Sequence, residues 1–471
     1  MCGLTGIVCH RPDHNLAEKL RQSLLKIQHR GYDGAGLVLD DHKYEIFRLI
    51  KNTGMIPEAL SDELITGPLR VCPKDLSSDT WLTGIAHTRY KTCGDTSLNN
   101  VQPLISASAQ LALVHNGQVN NTNLQPDSRQ ILEIWQKYEP LVNLKTIQAA
   151  LKDTFETIEG SYSCLLLIKN YGLVAFRDPL GIRPLVWGQF AGGWALASES
   201  VALTNSNVIR DILPGTGLLF RPGVSYPISL RTGSIHSGYR AHSGYKNQFS
   251  LLPCLFEFIY LADPDSVIDG LSVRRARTIM GRQLAKKIRT LQLQIDLIVP
   301  VPDSSCIATR AVAKTLGLPY RELIKLNPGR KQSRSFILPT QSQREIAVRD
   351  KFSFAAMSLA NDIENLLIVD DSIVRGTTMR HLISAIRQTY PNFKKIYVAS
   401  VAPVIRRANI FGIDIPDDTK LLAYQKTIPE IAVILGADQV IYQDLNDMER
   451  ALLLSLDDGN LIAGFEDSIF Q

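Results

Sequence analysis

The thirteen residues Leu366-Leu367-Ile368-Val369-Asp370-Asp371-Ser372-Ile373-Val374-Arg375-Gly376-Thr377-Thr378 constrain this 471-residue chain more tightly than any other stretch. An apolar run reads as a strand, two adjacent acids close it, and a Gly/Thr loop opens a helix carrying Met379, Leu382, Ile383 and Ile386 on one face. A helix near Val273–Leu284, a strand Leu297–Val301, a helix over Ile307–Leu316 and a strand Ile396–Ser400 surround it. Such alternation predicts a parallel sheet covered by helices. Backbone N–H groups and hydroxyls at a helix start suit a phosphate dianion, and adjacent carboxylates can accept from vicinal hydroxyls. An Asp-Asp pair alone would read as an acidic strand end with a helix cap; the whole pattern asks for more.

The first half reads differently. Leu4–Cys9, Ala35–Leu39, Gly84–Tyr90, Leu111–His115, Cys164–Ile168 and Leu173–Phe176 are strand-like. Leu16, Leu20, Leu24 and Ile27 share one helix face, and Ile147, Leu151, Phe155 and Ile158 another. Grouped strands with a few long helices predict stacked sheets flanked by helices. The join is expected in the Gly/Ser/Pro-rich stretch between Arg221 and Ser250, giving units 2–240 and 241–471; this length suits two or three domains.

Composition narrows the function classes. With 45% hydrophobic and 21% charged residues the chain is not largely disordered. A net charge of +5 and the lack of a Lys/Arg block argue against a nucleic-acid partner. No apolar run approaches the roughly 18 residues needed to span a bilayer. The N-terminus lacks a signal peptide's basic region and apolar length, and its Met-Cys start implies no cleaved propeptide. Seven cysteines without a Cys-x-x-Cys pair disfavour a disulfide framework or zinc site and fit a reducing, cytoplasmic setting.

Cys2 is the candidate nucleophile. Trimming of Met1 is expected before so small a residue, leaving a thiol beside a free α-amine that can serve as its base. Taken alone, Cys2 also reads as a small buried residue. Three other segments bear on it: His29-Arg30-Gly31-Tyr32-Asp33-Gly34-Ala35-Gly36 at a helix end, His87-Thr88-Arg89-Tyr90 closing a strand, and His115-Asn116-Gly117 ending another. Arginine suits the α-carboxylate of glutamine, and the Asn116 amide with the Gly117 N–H are candidate oxyanion donors.

Together with Arg177-Asp178-Pro179-Leu180-Gly181-Ile182-Arg183-Pro184-Leu185 and Ala197-Ser198-Glu199-Ser200, these segments resemble the N-terminal-nucleophile glutaminase domain of class II amidotransferases. The Leu366–Thr378 stretch resembles the phosphoribosyl-pyrophosphate (PRPP) signature of type I phosphoribosyltransferases, in the version of the amidophosphoribosyltransferase family. Cys254-Leu255-Phe256-Glu257-Phe258-Ile259-Tyr260, Pro264-Asp265-Ser266, Val273-Arg274-Arg275-Ala276-Arg277, Pro300-Val301-Pro302-Asp303-Ser304-Ser305 and Gly436-Ala437-Asp438 extend that likeness.

The resemblance implies an α/β plus α+β fold: a four-layer αββα sandwich followed by a Rossmann-like parallel sheet. It implies a glutamine-hydrolysing transferase that makes 5-phosphoribosylamine, the opening step of purine synthesis, with ammonia passed internally between sites. Cys2 would form a γ-glutamyl thioester, with Asn116 and Gly117 as the oxyanion hole. Arg89 would hold the glutamine carboxylate and Asp127 its amine, while Arg30 and Gly31 would shape that pocket. Ser304, Ser305, Lys325, Asp370, Asp371, Ser372, Arg375, Gly376, Thr377 and Thr378 would bind PRPP. One Mg²⁺ per subunit would sit near Ser304, Asp370 and Asp371. Purine nucleotides as feedback inhibitors and a homo-oligomer, tetramer or dimer, are also implied. The iron–sulfur branch of the family is excluded on ligand count, since no cysteine follows Cys306 and only Cys254 sits where that branch has a ligand; the chain resembles the cluster-free branch.

The chain departs from the family pattern in places. The family's flexible loop is longer here, Lys325 through Ile337, and lacks its tyrosine; Lys325 and Arg334 align only with a gap. Asp263 stands for an arginine, Phe258 for a tyrosine, Gln118 for an asparagine, and Pro126-Asp127-Ser128-Arg129 follows a shortened loop. A related enzyme acting on another phosphosugar, or a non-catalytic PRPP- or nucleotide-binding regulatory paralogue, are the alternative readings.

Overall fold

The computed structural model describes residues 1–66, 81–91, 97–120, 127–141, 143–230, 251–327, 351–354, 363–415, 417–457 and 461–471. Residues 3–230 build two antiparallel sheets. The seven-stranded sheet runs Val208–Asp211, Val186–Phe190, Gly193–Ala197, Gly3–Cys9, Trp81–Arg89, Gly34–Asp41, Ile46–Thr53. The six-stranded sheet runs Ile228–Leu230, Gly217–Phe220, Gly172–Arg177, Gly160–Ile168, Leu111–Val119, Leu104–Ile105.

Alternation along the strands explains the layers. Leu4, Val8, Val38 and Ile85 meet Ala112, Val114, Leu165 and Leu167 between the sheets. The opposite faces carry Ile7, Leu37 and Ala86 toward helix Leu16–Leu25, and Leu113, Leu166 and Phe176 toward helices Asp127–Gln136 and Leu144–Thr157. This is the αββα sandwich. All six strands read from sequence are present, most of them longer. His115-Asn116-Gly117 lies inside Leu111–Val119 rather than at its end, because pairing with Gly160–Ile168 continues through Val119↔Gly160.

The second unit is a four-stranded parallel sheet, Leu297–Pro300, Asn365–Asp370, Lys395–Ser400 and Gln439–Tyr442 in that order. Ile298, Leu367, Val369 and Ala399 face helices Val273–Thr290 and Cys306–Leu316. Leu297, Leu366, Ile368 and Val398 face helices Thr377–Thr389 and Ile428–Leu435. With both faces covered, the apolar run at 366–369 has no solvent side, which is why its sequence does not alternate. Ile228–Leu230 is the last described strand of the first unit, and Leu251 bridges to Ile462 in the second; the expected join at 231–250 lies outside the described residues. Residues 328–337 of the altered loop, including Arg334, and Pro126 also lie outside them.

Candidate active site

Cys2 stands at the mouth of the sandwich, just before the central strand Gly3–Cys9. Its backbone N donates to Asn116 Oδ1 at 3.1 Å, and its Sγ lies 3.5 Å from the Tyr90 N–H and 3.6 Å from the Tyr90 carbonyl. With Oδ1 occupied, the buried Asn116 Nδ2 has no hydrogen-bond partner among the described residues. That leaves a desolvated donor on the side chain that holds the Cys2 backbone, a group that an oxyanion can use. Gly117 follows at φ +146°, and a Cβ there would lie 2.0 Å from the Ser161 carbonyl oxygen, so only glycine fits.

Arg89 is buried at the end of strand Trp81–Arg89. Gly31 permits that strand end to come close: a Cβ on Gly31 would meet the Arg89 carbonyl carbon and oxygen at 2.6 Å. Asp127 opens helix Asp127–Gln136, and its Oδ2 accepts from Val119 N at 3.2 Å. Burial raises its pKa above the ordinary carboxylate value.

Arg30 is fully buried rather than open to a pocket. Its Nε donates to the Cys2 carbonyl at 3.0 Å, and its Nη atoms reach Glu199 at 2.5 Å and Glu257 at 2.8 Å. Glu257 belongs to the second half of the chain, as does Phe411, whose carbonyl accepts from Ser161 Oγ at 2.7 Å and from Arg183 Nε at 2.9 Å. The nucleophile's surroundings are therefore completed by both units.

The second site lies at the carboxyl ends of the parallel strands, where open α/β sheets bind ligands. Asp370 closes its strand and Asp371 follows. Ser304 Oγ donates to Asp371 Oδ2, Ser372 Oγ to Asp371 Oδ1 at 2.6 Å, and the Asp371 N–H to Asp370 Oδ1 at 2.9 Å. Both acids are buried, and burial together with repulsion from Asp371 raises the Asp370 pKa well above its ordinary value. Residues 372–378, with Arg375, Gly376, Thr377 and Thr378, curl into the start of helix Thr377–Thr389.

A cavity of about 460 Å³ runs from the second site to residues next to Cys2, and Cys2 itself is not part of its wall. Ser304, Asp370, Asp371 and residues 372–378 line one end, while Met1 and Tyr90, the neighbours of Cys2, line the other. Two expected residues stand apart from it. Ser305 is fully buried, its hydroxyl turned back to the Val301 carbonyl at 2.6 Å. Lys325 is exposed, because Leu326 takes the cavity side of strand Ile324–Leu326 and neighbours in a strand face opposite ways. Lys351, unnoticed in the sequence, lines the cavity instead; burial raises the pKa of both acids, and the Lys351 charge offsets part of that rise.

Comparison with known proteins agrees with this architecture. A glutamine amidotransferase domain model matches residues 87–205. The amidophosphoribosyltransferase of Haemophilus influenzae is 35% identical over 100% of this chain and 92% of its own length. The chain belongs to the amidophosphoribosyltransferase family. The Escherichia coli and Saccharomyces cerevisiae members are 35% and 33% identical, again over 100% of this chain. The solved structure of the Bacillus subtilis glutamine PRPP amidotransferase, complexed with ADP and GMP, superposes with a TM-score of 0.76 at 26% identity, covering 98% of this chain and 94% of that one. A family member is thus a glutamine-hydrolysing transferase of two units, and the described residues form both.

Site residues that the sequence did not single out are Glu199 and Glu257 as carboxylate partners of Arg30, Tyr90 beside the thiol, and Lys351. Glu199 and Glu257 sit within quoted segments, but nothing local to either assigns it a partner 169 or 227 residues away.

Proposed function

We propose that this protein converts PRPP and glutamine to 5-phosphoribosylamine, glutamate and pyrophosphate, in two units divided near residue 240. The observation that carries the reading is the cavity linking the neighbours of Cys2 to the Asp370–Thr378 loop. Met1 is 3% exposed and lines that cavity, so its removal would open the passage toward the thiol.

After that removal, the Cys2 α-amine takes the thiol proton as Sγ attacks the glutamine amide carbon. The Asn116 Nδ2 and Gly117 N–H stabilise the oxyanion. Collapse breaks the C–N bond, the proton returns to the leaving ammonia, and water then hydrolyses the thioester to glutamate. Arg89 pairs with the substrate carboxylate and Asp127 with its amine; Arg30 and Gly31 shape the pocket through Cys2 and Arg89. Ammonia crosses the cavity, where a passage shielded from bulk water would spare it protonation, and attacks C1 of the ribose as pyrophosphate leaves with inversion.

Asp370 and Asp371 accept from the ribose hydroxyls, and residues 372–378 donate to the 5-phosphate. Ser304 and Lys351 face the pyrophosphate end. The Ser304 hydroxyl with two mutually repelling buried carboxylates is an all-oxygen donor set that suits Mg²⁺ retaining waters and phosphate ligands. When bound, that ion supplies charge neutralisation to the leaving group. That no cysteine follows Cys306, and that only Cys254 stands where cluster-bearing members have a ligand, supports a chain without an iron–sulfur cluster.

Purine nucleotides are proposed as inhibitors, a reading supported by the ADP and GMP of the Bacillus subtilis relative. Self-association is supported by helix Ile428–Leu435, whose Val433 is 81% exposed. A cytoplasmic setting accords with the finding that no helix among the described residues is long and apolar enough to cross a membrane.

The test is glutamate release by purified protein with and without Mg²⁺ and PRPP. A large PRPP-dependent rise is expected. Steady hydrolysis indifferent to PRPP would overturn the reading in favour of another acceptor.

A further inference from the structure

One buried carboxylate is tied both to the cavity wall and, through Arg30, to the main chain of Cys2. Glu199 Oε1 accepts from Arg30 Nη1 at 2.5 Å and from His29 Nε2 at 2.8 Å. Its Oε2 accepts from the Asp263 N–H at 2.7 Å and from Ser266 Oγ at 2.8 Å. Asp263 and Pro264 form part of the cavity wall that the second unit contributes. Arg30, on the other flank of Glu199, holds the Cys2 carbonyl at 3.0 Å. One rigid side chain therefore stands between the main chain of the nucleophile and the wall of the phosphosugar cavity, with every link a direct hydrogen bond.

The chemistry of the junction favours coupling over simple packing. Glu199 has no exposed surface, and its acceptors are taken by two side chains of the first unit and two groups of the second. Burial opposes its charge, yet His29 and Arg30 hold its carboxyl well below the ordinary range. A displacement of the 263–266 wall must either break a charge-assisted hydrogen bond in a desolvated site or pull Glu199 along. Pulling Glu199 moves the Arg30 guanidinium, and with it the carbonyl of Cys2. The second carboxylate, Glu257, keeps Arg30 charged and buried but does not touch the wall segment through any of its bonds to Arg30 and Arg183.

We infer that Glu199 is a positioning residue that sets the Cys2 backbone according to the occupancy of the PRPP cavity, acting through Arg30 on one side and through Asp263 and Ser266 on the other. It touches neither substrate. This inference rests on the proposed function, since it explains how PRPP would raise glutamine turnover. Energetic coupling through such a chain of contacts is established by perturbing it at both ends, not by the contacts themselves.

The experiment compares wild type, Glu199→Gln and Ser266→Ala in three assays: glutaminase without PRPP, glutaminase with PRPP and Mg²⁺, and phosphoribosylamine formation from ammonium chloride. Wild-type protein that shows no PRPP stimulation defeats the proposed function itself, before either variant is read. Given stimulation, Ser266→Ala removes one bond on the phosphosugar side alone, so basal glutaminase is expected to stay within twofold while the stimulation ratio falls at least threefold. Glu199→Gln cannot accept all four donors and loses the charge that faces Arg30, so its ratio is expected to drop near one, with ammonium-dependent synthesis within threefold of wild type. Should Glu199→Gln fail to fold, Ser266→Ala decides alone. A wild-type stimulation ratio in Ser266→Ala overturns the inference, as does an equal loss of all three activities in a folded Glu199→Gln protein.

Discussion

Replacing Asn116 by aspartate separates the two jobs the structure gives this side chain. Oδ1 accepts from the Cys2 backbone N at 3.1 Å, and the buried Nδ2 has no partner among the described residues. Aspartate retains the acceptor and the shape but exchanges the donor for a second oxygen. If Nδ2 serves the oxyanion, the loss is that of one preorganised donor, about 2.7–4 kcal/mol in the transition state or roughly 10²–10³ in kcat. Charge on the new carboxylate would add to that. If the side chain merely anchors Cys2, aspartate is harmless and only Asn116→Ala suffers, by about 1 kcal/mol for one hydrogen bond. The assay is glutamine hydrolysis with PRPP and Mg²⁺ at pH 8, with ammonium-dependent phosphoribosylamine synthesis as the internal control. Hydrolysis is expected to fall at least a hundredfold in Asn116→Asp while the control stays within twofold. A protonated carboxyl can donate, so the deficit should narrow as the pH is lowered toward 6. Hydrolysis within threefold of wild type at pH 8 would refute the oxyanion assignment.

Arg30→Met strips the cation from between Glu199 and Glu257 and leaves buried carboxylates short of their partner. The expected loss is about 3–5 kcal/mol of stability, seen as a lower midpoint in urea denaturation at unchanged slope. Gly31→Ala forces a Cβ to 2.6 Å from the Arg89 carbonyl and displaces that strand end; the KM for glutamine should rise at least tenfold with little change in ammonium-dependent synthesis. The Asp370 carboxyl has a raised folded-state pKa, so the native state holds its proton more tightly than the unfolded chain, and stability falls as pH rises from about 4 through that raised value. A divalent cation reverses this penalty, and the rise in Tm on adding Mg²⁺ should be larger at pH 8 than at pH 5; an equal rise would argue against Asp370 as a ligand. Lys351→Gln should raise the KM for PRPP about tenfold while Lys325→Gln changes it less than twofold, which steady-state kinetics will check.

Much of this protein was legible residue by residue because the relevant physics is local. The run Leu366–Val369 announces a strand with no solvent face, and the faces of helices Leu16–Leu25 and Leu144–Thr157 follow from period alone. Cys2 is marked by its position, and Asp370–Thr378 by an order of residue types that few structures use. What the chain could not declare locally is which groups meet. Asn116 finds the backbone of Cys2 across 114 residues, and Arg30 finds Glu257 across 227, because stacked sheets and a second unit bring them together. Even between neighbours the outcome was tertiary. Ser304 turns its hydroxyl to Asp371 while Ser305 turns inward to Val301, and Leu326, paired with Phe352, takes the cavity side and leaves Lys325 outside, while Lys351, just before that second strand, lines the cavity. Local pattern settles which residues form strands and helices; the packing of those elements, which no short window encodes, settles the chemistry between them.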